Sequence, residues 1–232
     1  LVANADAKSI DVYTVPNKNG DNCEYTFAYD GTNDTNLRYV GSNPCNYVKI
    51  DEEYWRIVGI MNNVDDGTGK KESRLKLIRD ESIGTYSWDT SDSTVNNGYG
   101  INEWSQAALM KLLNEGYDSE PANGSLYYNS TSGICFYTYR NSVASCDFTN
   151  TGLKENLKNL IGDALWNVGS TGPETFILPV NGLVNHFYNY ERSNNIGKGC
   201  STGKYCNDTV ERTTSWVGKV GLVYPSDYGY AT

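Results

Sequence analysis

The chain has 232 residues, 38% hydrophobic and 20% charged, with 19 Tyr against 5 Phe and 5 Trp and a formal net charge of -9. One sizeable core fits that length, and disorder throughout does not fit that apolar share. Lys+Arg 19 against Asp+Glu 28 gives no basic field for a phosphate backbone, so nucleic acid is not an expected partner. No stretch approaches the roughly 20 apolar residues of a membrane-spanning helix. The chain opens at Leu1 without the charged flank and apolar run of a signal peptide, so a mature or trimmed product is expected.

In chain order, Ile10-Asp11-Val12-Tyr13-Thr14-Val15 alternates apolar and polar residues before the breaker run at 16–20. That predicts a strand in an extension over 1–20, ahead of one domain over 21–232. Tyr47-Val48-Lys49-Ile50, an acidic turn at 51–53 and the β-branched and aromatic run at 54–61 predict two antiparallel strands. A polar insert at 62–71 then leads to Leu75 and Leu77 alternating with basic residues, the pattern of a half-buried strand. Trp104, Ala108 and Leu112 share a helical stripe after Asn102, a suitable N-cap, and before Gly116, a suitable stop. Leu153, Leu157, Leu160, Ile161, Ala164 and Leu165 predict a second helix over 151–166, and Leu183, Val184, Phe187 and Tyr190 a shorter one over 182–192. Long Gly/Asn/Ser/Thr stretches at 84–100, 114–133 and 193–214 read as stapled or functional loops.

Six cysteines fall in three local pairs, Cys23 with Cys45, Cys135 with Cys146 and Cys200 with Cys206, which favours three disulfides and an oxidising compartment. Structural zinc is not expected, because no pair has metal-ligand spacing. His186 is the one histidine and lies in an apolar-rich run, which leaves little for triad or Cys-His chemistry. Four Asn-x-Ser/Thr triplets, at Asn33, Asn123, Asn129 and Asn207, are about as many as chance supplies in so Asn-rich a chain. The loop bearing Asp65 and Asp66 is the weak candidate for Ca2+. It departs from the EF-hand pattern, however, with Val64 at the second ligand position, and a hairpin tip is the stronger reading. No other cofactor is expected. Aromatics in polar stretches can form binding platforms by stacking and hydrogen bonding; the candidates are Tyr86, Trp88, Tyr99, Tyr127, Tyr128, Tyr205, Trp216, Tyr224, Tyr228 and Tyr230, with Asp227 in the same terminal run. Trp55, Trp104 and Trp166 sit on periodic elements and are expected in the core.

Several runs together, Asn43-Pro44-Cys45-Asn46-Tyr47-Val48, Tyr54-Trp55-Arg56-Ile57-Val58-Gly59, Leu77 to Gly84 with Trp88-Asp89, and Gly221 to Ala231, carry a resemblance. They resemble a family of secreted and cell-surface proteins of Gram-positive and mollicute-related gut bacteria. Its domain of unknown function is associated with the C-type-lectin-like, formylglycine-generating-enzyme-like fold. The resemblance spans about 36–232 and implies a further closing segment beyond the Tyr-Pro-Ser-Asp-Tyr-Gly-Tyr-Ala run. A fragment, or a domain completed by a complementary chain, is therefore expected, with an unpaired strand edge at 218–224. Oxidase chemistry does not carry over, because none of the six cysteines takes the family enzymes' working positions.

The expected fold is α+β, mainly antiparallel sheet with two or three helices and long disulfide-stapled loops, C-type-lectin-like by resemblance. The expected function is a non-catalytic extracellular or cell-surface binding or adhesion module. Its expected partner is a glycan or protein of a host or neighbouring cell, with no membrane span in this chain. The alternative is a structural subunit of a surface appendage or stalk completed by a partner strand.

Overall fold

A computed structural model describes residues 12–15, 18, 22–29, 34–89, 104–136, 142–167, 215–224 and 227. They form an α+β protein in two compact units, each discontinuous in sequence. The first draws on Leu1–Glu81 and Leu222–Thr232, the second on Ser82–Val168 and Trp216–Gly221. The sequence was read as one domain over 21–232 behind an extension; here the strand of that extension is part of the first unit's sheet.

The first unit is a six-stranded sheet of β1 (Val12–Val15), β2 (Phe27–Tyr29), β3 (Leu37–Tyr39), β4 (Tyr47–Ile50), β5 (Glu53–Asp65) and β6 (Lys71–Arg79). Long β5 is its spine. Trp55 pairs with Val48 of β4 on one side and Arg79 of β6 on the other, and farther along Ile60 pairs with Leu37 of β3 and with Leu75. β4 and β3 therefore follow one another along one flank, with β1 outside β4 and β2 outside β3, all antiparallel. Val48, Ile50, Trp55 and Ile57 are buried, as alternation along β4 and β5 requires. A register shift between Ile57 and Gly59 marks a bulge. At Gly59 a Cβ would lie 2.5 Å from the Leu37 carbonyl, so a side chain there would push β3 away. The predicted hairpin at 47–61 is present, with Asp51 at φ 52 in its turn.

The opposite hairpin, β5–β6, ends in a tip closed by its own acids. Asp65 Oδ1 accepts the Gly67 and Gly69 N–H groups, and Asp66 Oδ1 accepts the Thr68 N–H and hydroxyl. Each acid thus spends an oxygen on turn closure, as expected of a hairpin tip. Among the described residues no group of three or more His, Cys, Asp or Glu could hold a metal ion.

One buried ion cluster ties the C-terminal stretch to this sheet. Asp227 accepts from Arg38 Nη1 at 2.7 Å and Lys76 Nζ at 2.6 Å, with side chains 2%, 6% and 13% exposed respectively. Asp227 also accepts the Tyr224 N–H at 2.8 Å, and Lys76 lies 3.9 Å from the Tyr224 ring centre. Arg38 and Lys76 both pair with Gly59 from opposite sides.

The second unit holds a 3-10 turn (Trp104–Gln106), α1 (Ala108–Leu113), α2 (Leu126–Asn129), the hairpin of β7 (Ser132–Phe136) and β8 (Val143–Asp147), α3 (Glu155–Leu160), and the pair β9 (Ala164–Asn167) and β10 (Ser215–Gly218). Trp104, Ala107 and Met110 form a core cluster against which Trp88, Leu109, Leu113, Tyr117 and Trp216 pack. The helix predicted over 151–166 is shorter than its periodicity. It runs only over α3, Ile161 is already extended, and Ala164 and Leu165 belong to β9. Pairing with β10 takes over there, and the Trp166 indole donates to the Gly218 carbonyl at 2.8 Å. Leu160 and Leu165 are 40% and 44% exposed, so only Leu153 and Leu157 of that apolar series are buried. Short α2, flanked by left-handed Ser125 and Ser130, lies in a stretch read as loop. The helix predicted over 182–192 lies outside the described residues.

Disulfides join Cys23 to Cys45 and Cys135 to Cys146, with Cα atoms 5.0 Å and 5.9 Å apart. Cys200, Cys206 and His186 lie outside the described residues. Among those described, no helix is long and apolar enough to cross a membrane.

Candidate functional site

The second unit contains a concavity of about 100 Å3 bounded by Asn114, Glu115, Tyr117, Asp163, Trp216, Val217, Gly218 and Lys219. Three pieces of chain build it. Asn114 is the C-cap of α1, so Glu115 and Tyr117 follow directly from the helix end. Asp163 immediately precedes β9, and β10 with Lys219, the residue after it, supplies the rest.

The wall is held rigidly. The Asn114 side chain donates to the Val220 carbonyl at 3.0 Å and accepts the Val220 N–H at 2.9 Å, replacing a strand partner for that residue. Trp216 meets Trp104 edge to face at 6.1 Å between ring centres, within the range of favourable aromatic pairs. Its ring also lies over Gly218, where a Cβ would fall 2.2 Å from the ring edge. Any side chain at 218 would displace the indole.

Charge in the site is organised by Lys219, whose ammonium donates to Glu115 and, at 3.3 Å, to the Tyr128 hydroxyl. The Lys219 hydrogen bond holds the Glu115 carboxyl below its ordinary value, against a smaller opposing effect of burial. In return, the Glu115 hydrogen bond raises Lys219. Glu115 is thus kept as an acceptor rather than poised as a proton donor, and Lys219 stays cationic. An aromatic wall beside fixed acceptors and one fixed donor can bind a polar ring-sized group by stacking and hydrogen bonding. The volume is below the roughly 300–1,000 Å3 of drug-sized pockets, so it suits a ring or the end of a larger ligand.

Of the residues singled out from sequence, Trp216 lines this concavity. Tyr86 packs on Phe148 at 5.5 Å and donates its hydroxyl to the Ile83 carbonyl, and Trp88 packs on Trp104 at 5.6 Å. Those two rings help to build the second unit's interior. Tyr224 and Asp227 belong to the first unit, where Asp227 is enclosed by two cations. Tyr228 and Tyr230 lie outside the described residues. Within the edge expected to be open at 218–224, Gly218 ends β10, which pairs with β9, and the Val220 backbone is met by Asn114. Glu115, Tyr117, Asp163 and Lys219 were not anticipated. Glu115 and Lys219 lie 104 residues apart, and no local spacing connects them.

No protein-family model matches the chain, and no curated protein or solved structure matches it either.

Proposed function

We propose that the chain is a non-catalytic extracellular binding module of a bacterial surface protein, and that the Trp216 concavity receives a ring-sized polar part of its ligand, with a glycan terminus the best fit. The observation that carries this is that Trp216 and the Glu115–Lys219 pair line one concavity, bringing together an aromatic side chain, an acceptor and a donor. Two disulfides support residence in an oxidising compartment. The holding of Glu115 as a carboxylate supports binding over proton-transfer chemistry. The rival reading, a structural subunit completed by a donated strand, draws less support, because both Val220 backbone groups already have a partner within the chain.

The test is a glycan array together with a panel of host surface proteins, using the full chain and its Trp216→Ala and Glu115→Gln variants. Binding that falls at least tenfold in both variants is expected. Glu115 is half exposed, so its variant keeps the fold even if loss of the indole loosens the Trp104 contact. A blank array and panel, or binding indifferent to both substitutions, overturns the reading.

A further inference from the structure

The first unit carries an uncharged, aromatic-rich surface that the Trp216 concavity does not explain. Register places Tyr29 beside Leu37, Leu37 beside Ile60 and Ile60 beside Leu75, one row of apolar side chains across β2, β3, β5 and β6. Strand spacing of about 4.8 Å makes this row roughly 14 Å wide. Two residues along β2, Phe27 lies beside Tyr39 with rings 4.2 Å apart. Tyr25, two residues before Phe27, continues the series. This face is open: Tyr25 is 65% exposed, Phe27 43%, Tyr29 67%, Ile60 37% and Leu75 45%. Alternation puts Arg38 on the opposite, buried face, so these side chains contribute nothing to the cluster around Asp227.

Three properties select an occupant. First, no side chain of the two rows is charged, while the chain carries a net charge of -9, which opposes both a second copy and an anionic bilayer. Second, the exposed apolar area is on the order of 400 Å2. That falls short of the roughly 800 Å2 per partner of a stable protein interface, yet covers several sugar rings. Third, a pleated face offers rings and phenol hydroxyls in one layer, suited to a flat ligand that presents C–H faces and hydroxyl edges together. Beside the rows Ser73 donates to Asn62 at 2.6 Å, and the Asp34 carboxylate farther out is engaged by Asn63 at 2.9 Å.

We infer that the Tyr25–Phe27–Tyr29 face of the first unit is a platform for a neutral, flat-faced β-linked polysaccharide, separate from the concavity of the second unit. The inference stands without the Trp216 reading.

The experiment is depletion of the full chain from solution by microcrystalline cellulose and by chitin, with the Tyr25→Ala/Tyr29→Ala double variant, Phe27→Ala and Trp216→Ala in parallel. Retention of the wild type on at least one matrix is expected, with at least tenfold weaker retention of the double variant and unchanged retention of Trp216→Ala. Tyr25 and Tyr29 are two-thirds exposed, so melting temperature and circular dichroism are expected to match wild type. No retention on either matrix overturns the inference, as does retention indifferent to the tyrosines. So does tyrosine-dependent self-association by sedimentation, or tyrosine-dependent binding to zwitterionic phosphatidylcholine vesicles, in the absence of retention on either matrix.

Discussion

The Asn114 amide satisfies both backbone groups of Val220, donating to its carbonyl and accepting from its N–H, across 106 residues of sequence. The same amide donates to the Met110 carbonyl at 3.1 Å, so one buried side chain closes α1 and holds the segment that follows the Trp216 strand and contains Lys219. Asn114→Ala leaves the Val220 pair without this partner, at a cost of about 1–3 kcal/mol. Asn114→Asp costs more, since a carboxylate cannot donate to two carbonyls. Urea denaturation checks this; equal stability of Asp and Asn at 114 would refute the clamp.

Asp227 sits between Arg38 and Lys76 with its side chain 2% exposed, where an ion pair stabilises little net but is costly to break. Asp227→Asn takes the shared carboxylate away from two largely buried cations, and a loss of about 3–5 kcal/mol is expected. Replacing Arg38 alone by Met is expected to cost less than Asp227→Asn, because Lys76 still neutralises the carboxylate. Denaturant midpoints of the two variants decide it, and the reverse order would sink the account.

The hairpins at 47–61 and 71–79 were legible because alternation, an acidic turn and β-branched residues point the same way at each position. The leucine series at 153–165 misled because its spacing is helical throughout, whereas β10 captures Ala164 to Asn167 as a strand partner. Pairing with a distant segment outweighs a weak intrinsic preference. Leu75 was expected in a half-buried strand and is 45% exposed, since the bulge after Ile57 shifts the register of β6. Trp216 could be picked out as an aromatic in polar surroundings. Its partners Glu115, Lys219 and Asn114 are ordinary residues in sequence and become a site only through folding.

Cys135 and Cys146 face each other across β7–β8, with Cys135 fully buried and Cys146 nearly so. The bridge closes a short loop, for which chain-entropy arguments give about 3 kcal/mol. Cys135→Ser/Cys146→Ser is expected to lower the urea midpoint accordingly and also to bury two hydroxyls in an apolar setting. Cys135→Ala/Cys146→Ala separates the two effects and is expected to be the milder change. Non-reducing peptide mapping checks the connectivity first; any pairing other than 135 with 146 would remove the basis of this prediction.

The Glu115–Lys219 pair sets a pH range for the concavity. Glu115 titrates below its ordinary 4.5 when folded, so its contribution is complete above pH 4.5 and is lost as pH falls through that lower folded value. Lys219 titrates above its ordinary 10.5, so its contribution is complete below pH 10.5 and is lost as pH rises through the higher folded value. Between those limits the pair is constant. Half-exposed Glu115 limits its worth to the surface-pair range of about 0.2–1 kcal/mol. The stability gap between wild type and Glu115→Gln is therefore expected to be flat from pH 5 to 9 and to close as the pH is taken toward 2. Comparing the two proteins cancels the other carboxylates held low, Asp66, Glu72, Asp80 and Asp147, which act equally in both. Chemical denaturation at stepped pH measures the gap, and one that persists undiminished at the acid end would show that Lys219 is not what holds Glu115 ionised.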